Sequence, residues 1–182
     1  ARITVLGTGD IGTEFARRAQ SFHPACINGV RRTVRSSDPA FTSIHAIAEL
    51  DSVLPETDIL VLALPSTAET VGILSRERIA LLPDSAFVVN VGRGTAIDQE
   101  ALCDALNAGR LAGAALDVVV PEPLPADHPL RRAKNLLLTP HVAGNMTLGY
   151  TCDKSVQMFC DDLENYAAGR PLAHLVDRKR GY

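Results

Sequence analysis

The sequence predicts an α/β fold, a doubly wound parallel sheet with helices on both faces. Short apolar runs alternate along the chain with segments whose apolar residues recur at helical spacing. Several of the short runs are apolar at every position, as in parallel strands that are covered on both faces. A glycine-rich turn directly follows the first run. Together these features are typical of a Rossmann-type sheet.

The predicted strands and helices follow one another in chain order. Residues 3–6 form the first β-rich run. Residues 11–20 form the first helix, because Ile11, Phe15 and Ala19 recur on one helical face. The later strand candidates are residues 27–30, 59–64, 86–89, 112–119 and 136–138. The later helix candidates are residues 46–54, 75–82, 99–106 and 152–166.

A change of pattern after Gly144 divides the chain into two predicted regions. We expect residues 1–148 to form the dinucleotide-binding domain that contains the sheet. We expect residues 149–182 to form a C-terminal helix with a polar tail. Gly169 and Pro171 end that helix, since neither residue continues a helical turn.

Composition and charge argue against several classes of protein. The 182 residues are 46% hydrophobic, which suits a globular core and is too high for a disordered chain. No apolar run approaches the roughly 18 residues of a membrane span, and no signal peptide precedes the first strand. We therefore expect a cytoplasmic protein with no membrane partner. The net charge of −3 gives no reason to expect nucleic acid. Four cysteines without zinc-like spacing indicate free thiols and no metal site.

The turn at residues 7–12 has the spacing of a dinucleotide-binding loop. It reads G-x-G-x-x-G and lies between a predicted strand and a predicted helix. Gly7 permits the tight turn, Gly9 lets a pyrophosphate approach the backbone, and Gly12 lets the helix and strand pack closely. The N-terminus of the helix then offers N–H groups and a positive dipole end to the phosphates.

The residues after the second strand predict NADP as the preferred dinucleotide. An NAD site usually has an acid at this strand end, which accepts a hydrogen bond from the ribose 2′-hydroxyl. Here the chain has Arg31, Arg32 and Thr33 instead, with Arg35 nearby. A 2′-phosphate beside two arginines gains charge-assisted hydrogen bonds. We expect NADP, and NAD stays open as the alternative.

Three further strand ends carry charged residues that an apolar scaffold does not need. Arg93 follows the strand at 86–89, Glu122 lies in a proline-rich loop after the next strand, and His141 follows the last one. Open parallel sheets bind their ligands at the carboxyl ends of the strands. An arginine, a carboxylate and a histidine at that edge form a candidate site for hydride transfer.

At this point the chain resembles the D-isomer-specific 2-hydroxyacid dehydrogenase family, from residue 2 to about residue 170. The resemblance rests on the segments 7–12, 64–70, 90–94, 116–124 and 139–144, in that order and spacing. Pro65, Thr67 and Thr70 are the matching residues of the second segment. Within the family, the stretch at residues 30–33 is more similar to NADP-using glyoxylate/hydroxypyruvate reductases.

The resemblance implies a role for each charged residue. Arg93 is expected to bind the carboxylate of a small 2-oxo or 2-hydroxy acid and to polarise its 2-carbonyl. His141 is expected to protonate the carbonyl oxygen, and Glu122 to accept a hydrogen bond from the other imidazole nitrogen. Asp117 is expected to hold the nicotinamide carboxamide. These roles suit the chemistry, because hydride addition leaves negative charge on oxygen, which needs a proton donor and a fixed cation.

The resemblance also implies a set of cofactor-binding residues spread over five loops. They are Gly7, Gly9, Asp10, Ile11, Gly12, Arg31, Arg32, Thr33, Leu64, Pro65, Thr70, Val91, Gly92, Arg93, Asp117, His141, Ala143 and Gly144.

The chain differs from the family at its beginning. Family members build a substrate domain largely from residues that precede the glycine turn, whereas here the turn starts at Gly7. We therefore expect the substrate domain to be largely missing and the chain to be a piece of a longer enzyme. These residues alone are expected to bind cofactor but to turn over poorly, because a one-walled cleft does not exclude water. The resemblance further implies a homodimer paired through the cofactor domain.

Other functions remain open from the sequence. A dinucleotide-sensing interaction module, similar to the corepressors that share this fold, can keep the same three charged residues. A phosphoglycerate dehydrogenase-like enzyme also fits, since the residues that select the hydroxy acid lie mostly outside this chain. A formate dehydrogenase is disfavoured, because that group carries an amide where this chain has Glu122.

Overall fold

A computed structural model describes residues 1–34, 38–144 and 149–178 of the protein. It forms two compact units, Ala1–Pro140 and His141–Tyr182. The division falls a few residues before the boundary at 148/149 expected from the sequence. That boundary stays a prediction.

The first unit is built on a parallel sheet, as predicted. Within the described residues the sheet has seven strands in the order β3-β2-β1-β4-β5-β6-β7, with every neighbouring pair parallel. The strands are β1 (Arg2–Leu6), β2 (Cys26–Arg31), β3 (Ser43–Ala46), β4 (Ile59–Leu62), β5 (Phe87–Asn90), β6 (Gly113–Leu116) and β7 (Leu136–Leu138). The order reverses direction between β1 and β4, which is the switch point of a doubly wound sheet. The predicted Rossmann-type fold is confirmed.

In the described part of the chain, four α-helices connect these strands. They are α1 (Asp10–Ala19), α2 (Leu50–Val53), α3 (Arg76–Leu81) and α4 (Gln99–Asn107). Short 3-10 turns complete the connections at Gln20–Phe22, Ile47–Glu49, Leu54–Glu56, Gly94–Ala96 and Pro129–Arg132. Side-chain caps start two of the helices, with Ser75 accepting from the Arg78 N–H and Asp98 from the Ala101 N–H. Each cap satisfies a backbone donor that the first helical turn leaves open.

The predicted helix at residues 46–54 is α-helical over four residues only, and the strand that ends at its first residue was not predicted. Residues 43–46 form this edge strand, β3, which pairs with residues 28–31 of β2. The remaining residues are divided between short 3-10 turns and the four-residue α2. An edge strand has a partner on one side only, so its sequence does not show the continuous apolar run on which the strand predictions depended.

The core has one apolar layer on each face of the sheet. Alternate β1 residues point to opposite faces, so Ile3 and Val5 pack with Ala16 of α1, whereas Leu6 belongs to the larger cluster beneath α4. Thr4 is buried and its hydroxyl lies 2.7 Å from the hydroxyl of Thr57.

An ion pair anchors the start of β1 at the amino edge of the sheet. The Arg2 backbone N–H donates to the Asp58 carboxylate at 2.7 Å, and the Arg2 guanidinium donates to the same group at 3.3 Å. The backbone hydrogen bond and then the guanidinium lower the pKa of Asp58.

The second unit contains α5 (Gly149–Ala167) and the described part of the tail. No side chain of α5 is buried within the described residues, and Tyr150, Phe159 and Tyr166 are largely exposed. The tail folds back on the helix, because the Asp162 carboxylate accepts from the backbone N–H groups of Ala173 and His174. Among the residues that the structure describes, no helix has the length and hydropathy needed to cross a membrane.

Candidate cofactor and catalytic site

Most of the predicted site residues of the first unit follow strand ends that lie in one row. The sheet register aligns Leu6, Leu62, Asn90, Leu116 and Leu138 across neighbouring strands. The next residue of each strand continues the ladder with one further backbone hydrogen bond. The residues in these positions are Gly7, Ala63, Val91, Asp117 and Thr139. The loops that follow them therefore emerge side by side at the carboxyl edge.

The glycine turn requires glycine at its first and third glycine positions. Gly7 has a φ of +99°, and an added Cβ there would lie 2.5 Å from the Ala63 carbonyl oxygen. A Cβ at Gly12 would overlap the carbonyl oxygen of Gly7. At Gly9, by contrast, an added Cβ meets nothing within 4 Å, so the space beside the start of α1 is open. The turn brings helix and strand together and leaves room for a ligand at the helix N-terminus.

Residues at the start of α1 face that open space with little cover. Asp10 is exposed, and Ile11 exposes 61% of its surface although it is a large apolar residue. Gly9 is the N-cap of α1 and has no side chain that could cap the first turn. The donors of the first helical turn therefore stay available to an anion.

The basic segment lies at the carboxyl end of β2, next to the glycine turn. Arg31 is the last strand residue and is half-buried, whereas Arg32 and Thr33 are exposed. The Nη1 atom of Arg32 donates to the Oε2 atom of Glu69 at 3.2 Å. Arg35, the third arginine of the sequence cluster, lies outside the described residues.

The loop after β4 is closed by the hydroxyl of Thr70. This hydroxyl donates to the Pro65 carbonyl oxygen at 2.6 Å and accepts from the Thr67 N–H at 2.8 Å. Thr70 is only 6% exposed, so its hydroxyl shapes the loop from within. Leu64 is buried beneath it, and an added Cβ at Gly92 would lie 2.7 Å from the Leu64 backbone nitrogen.

Arg93 is positioned by a buried asparagine that the sequence analysis did not select. The Asn90 side chain accepts from the Gly92 N–H and donates to the Arg93 carbonyl oxygen, both at 3.0 Å. Asn90 is completely buried, so it fixes the turn in which Val91 and Gly92 lie. The Arg93 side chain is exposed and donates to the Gly92 carbonyl oxygen at 2.7 Å. One available signal is that a polar residue ends an otherwise apolar strand.

Glu122 is held in the loop that follows β6. Its Oε1 atom accepts from the Val119 N–H at 2.9 Å. Gln99 of α4 binds the same loop from the other side, donating to the Val120 carbonyl oxygen at 2.6 Å and accepting from the Val120 N–H at 2.9 Å. An added Cβ at Gly94 would overlap the Val119 backbone. The turn after Arg93 and the loop that carries Glu122 are therefore in direct contact.

Asp117 is the most buried acid of the site, with 7% of its surface exposed. Its Oδ1 atom accepts from the Thr139 hydroxyl at 2.5 Å, and its backbone N–H donates to the Asn90 carbonyl oxygen at 3.0 Å. This carboxylate is consequently aligned by two neighbouring strand ends. Thr139 is a second positioning residue that the sequence analysis did not select.

His141 begins the second unit and directly follows the loop of Thr139. It is exposed and has a φ of +56°, a left-handed backbone conformation that is uncommon for residues other than glycine. Ala143 and Gly144 are exposed as well. That the His141 imidazole lies beside Arg93 and Glu122 stays a prediction. The cofactor contacts of His141, Ala143 and Gly144 also stay predictions.

A family comparison matches most of the chain. The family described as "D-isomer specific 2-hydroxyacid dehydrogenase, NAD binding domain" matches residues 1–143. The chain is 40% identical to glyoxylate/hydroxypyruvate reductase B of Pectobacterium carotovorum subsp. carotovorum (strain PC1), over 77% of this chain and 43% of that relative. It is 36% identical to glyoxylate/hydroxypyruvate reductase A of Klebsiella pneumoniae (strain 342), over 99% of this chain and 56% of that relative. The chain thus spans about half the length of these curated relatives.

A solved structure has the same fold. A D-isomer specific 2-hydroxyacid dehydrogenase from Xanthobacter autotrophicus Py2, in complex with NADPH and MES, superposes with a TM-score of 0.87 at 36% identity. The match covers 100% of this chain and 72% of that one. The family match spans both the glycine turn and the strand ends that carry Arg93 and Glu122. The chain therefore belongs to the D-isomer specific 2-hydroxyacid dehydrogenase family.

Proposed function

We propose that the protein carrying this chain transfers hydride between NADP(H) and a small 2-oxo or 2-hydroxy acid, working mainly as a glyoxylate/hydroxypyruvate reductase. The observation that supports this most directly is the contact between the Arg93 turn and the Glu122 loop. Gly94 lies against the Val119 backbone, and the Glu122 carboxylate bonds to that same residue. A guanidinium and a carboxylate are thereby held at the same sheet edge as the glycine turn.

The residues at this edge fit a dinucleotide. The open space at Gly9 and the uncapped start of α1 suit the pyrophosphate. Arg31 and Arg32 suit a 2′-phosphate, because a guanidinium binds phosphate oxygens through paired donors. Asp117 suits the carboxamide of the nicotinamide, which offers N–H donors to a carboxylate. When bound, the dinucleotide supplies the hydride for reduction of the 2-oxo acid.

Two side chains are proposed to act on the substrate, and a third positions one of them. Arg93 binds the substrate carboxylate and places its positive charge near the 2-carbonyl oxygen, where negative charge develops. His141 donates its proton to that oxygen during reduction and accepts it back in the reverse direction. Glu122 accepts from the other imidazole nitrogen, which fixes the tautomer and stabilises the protonated ring.

The comparisons favour this reaction over the other functions considered. The two curated relatives carry reductase names, and the solved relative is in complex with NADPH. These names favour an enzyme over a corepressor-like module and NADP over NAD. We further propose that the whole protein is a cytoplasmic homodimer paired through the cofactor domain. The family resemblance supports this last proposal, and sedimentation equilibrium of the whole protein tests it.

A cofactor titration tests the binding half of the proposal. We expect the chain to bind NADPH more tightly than NADH. Changing both Arg31 and Arg32 to serine should weaken NADPH binding by about 10- to 100-fold and NADH binding much less. The reason is that each lost charge-assisted hydrogen bond is worth about 1.5–3 kcal/mol before solvent screening.

The matched control changes Arg17 and Arg18, which are adjacent arginines in the last turn of α1, to serine. This variant removes the same charge and should keep both affinities. A preference for NADH in the unmodified chain would contradict the NADP proposal. Failure to bind either dinucleotide would contradict the cofactor site itself.

Turnover of the whole protein tests the chemical half. We expect NADPH-dependent reduction of glyoxylate or hydroxypyruvate, and we expect His141→Asn to lower kcat by about 100-fold or more. Saturating NADPH should not restore the rate, because the imidazole is proposed to donate the reacting proton. Reduction at an undiminished rate by the variant would remove His141 from the mechanism.

A further inference from the structure

The Arg32–Glu69 ion pair spans the strand that carries the glycine turn. Arg32 directly follows β2, Glu69 lies in the turn after β4, and the sheet order places β1 between these two strands. The Arg32 guanidinium and the Glu69 carboxylate meet at 3.2 Å, so the pair lies across the carboxyl end of β1. Any ligand phosphate that reaches Arg32 at this edge therefore arrives beside a carboxylate.

We propose that Glu69 is a specificity-determining residue that competes with the 2′-phosphate of NADP(H) for Arg32 and so limits the preference for NADPH over NADH. This inference rests on the proposed function, since it assumes that Arg32 binds the 2′-phosphate. It extends that function to Glu69, a residue of the loop after β4. The end of β2, where NAD sites usually have an acid, has arginines in this chain.

The Glu69 backbone is held by a rigid turn. The next residue, Thr70, is buried and ties the turn to Pro65 and Thr67 through its hydroxyl. The Gly72 N–H adds a hydrogen bond to the Thr95 carbonyl oxygen at 2.8 Å. The carboxylate can turn about its own side-chain bonds, whereas its backbone is tied to the edge by these hydrogen bonds. Its negative charge thus stays close when a second anion arrives.

The Arg32–Glu69 ion pair is weak enough for a phosphate to displace the Glu69 carboxylate from Arg32. Both side chains are about half exposed, 40% for Arg32 and 56% for Glu69, and exposed ion pairs are weak. A 2′-phosphate carries more negative charge than a carboxylate and can therefore take the guanidinium. The nearby carboxylate then repels the phosphate. NADH lacks this phosphate, so its affinity depends much less on Glu69.

The experiment measures dissociation constants of the 182-residue chain for NADPH and NADH from the change in nicotinamide fluorescence. We expect Glu69→Gln to lower the dissociation constant of NADPH by about two- to fivefold, which corresponds to the energy of an exposed ion pair. The dissociation constant of NADH should not change within error. The gain should shrink as salt is raised, because exposed charges are screened. Measured by displacement of bound NADPH, 2′,5′-ADP should show the same gain in affinity and 5′-AMP should not, which assigns the effect to the 2′-phosphate.

Two further variants make the result specific. Glu56→Gln removes the carboxylate of another exposed ion pair, with Arg2 at the amino edge of the sheet, and should change neither affinity. In an Arg32→Ser background, Glu69→Gln should lose most of its effect on NADPH if the two groups act through each other. Thermal melts of each variant check that the fold is retained.

The failures can be told apart. If the unmodified chain does not bind NADPH, both the proposed function and this inference are overturned. If NADPH binds tightly and weakens on Arg32→Ser but Glu69→Gln leaves it unchanged or weaker, only the inference is overturned. Equal tightening of NADPH and NADH by Glu69→Gln also overturns it, because a general charge effect then replaces competition for the 2′-phosphate.

Discussion

Replacing Asn90 by leucine is expected to damage both the stability of the domain and the position of Arg93. Asn90 is completely buried and makes two hydrogen bonds, from the Gly92 N–H and to the Arg93 carbonyl oxygen, both at 3.0 Å. Leucine has the same branched arrangement of heavy atoms but is larger, so the change removes the polar partners and also crowds a completely buried site. Each buried backbone group left without a partner costs about 1–3 kcal/mol.

The expected loss for Asn90→Leu is about 2–4 kcal/mol in the free energy of unfolding, after allowing for the apolar gain. For a chain of this size that loss lowers Tm by about 4–16 °C, at 2–4 °C for each kcal/mol. Urea or thermal unfolding followed by circular dichroism measures it. In the whole protein we also expect kcat/KM for the 2-oxo acid to fall by about 100-fold, because a small displacement of a positioned group is enough.

The matched control is Thr57→Val at the opposite edge of the sheet. Thr57 is 1% exposed, and its hydroxyl contacts the Thr4 hydroxyl at 2.7 Å and donates to the Val53 carbonyl oxygen at 3.0 Å. This change keeps the side-chain volume and removes two buried hydrogen bonds, so it should destabilise the fold and leave kcat/KM near its original value. If Asn90→Leu keeps as much activity as Thr57→Val, the reasoning that Asn90 positions Arg93 is refuted.

Two further predictions follow from contacts at the two edges of the sheet. Thr139→Val removes the hydroxyl that donates to Asp117 at 2.5 Å. We expect calorimetry to show that NADPH binds about 3- to 20-fold more weakly. Unchanged affinity would count against a role for Asp117 in binding the cofactor. Asp58→Asn tests pH dependence. The lowered pKa of Asp58 means that its stabilisation is complete above its unfolded-state value and is lost as the pH falls through the folded value. The variant should therefore be less stable at pH 7, and the difference should close below about pH 4 in urea titrations; a gap that is constant with pH would contradict it.

The central part of the fold could be predicted because its signals are local. Strands such as β4 are apolar on both faces, and this pattern indicates a covered parallel strand without knowledge of its neighbours. The predicted strands at 59–64 and 112–119 still extend too far, since β4 ends at Leu62 and β6 at Leu116. Apolar residues continue past these points into the loops, where Leu64 and Val118 are buried.

The edge strand β3 and the positioning residues could not be predicted in the same way. Asn90, Gln99 and Thr139 look like ordinary polar residues in the sequence. Gln99 and Thr139 acquire their roles from partners elsewhere in the fold, whereas Asn90 is bonded to Gly92 and Arg93 directly after it. Gln99 is 21 residues from Val120, and Thr139 is 22 residues from Asp117. Strand order decides such partnerships.

The sequence by itself determined the glycine turn, the parallel sheet around it and the charged residues that follow the strand ends, because glycine spacing and apolar period are properties of neighbouring residues. Only the tertiary structure decided which side chains hold those charges in place. The Arg32–Glu69 pair shows the reason most clearly. Its residues are 37 apart in the sequence, and they meet because β2 and β4, which precede them, are the two neighbours of β1 in the sheet. Contacts of this kind depend on how the chain crosses the sheet, and no local pattern in the sequence records that crossing.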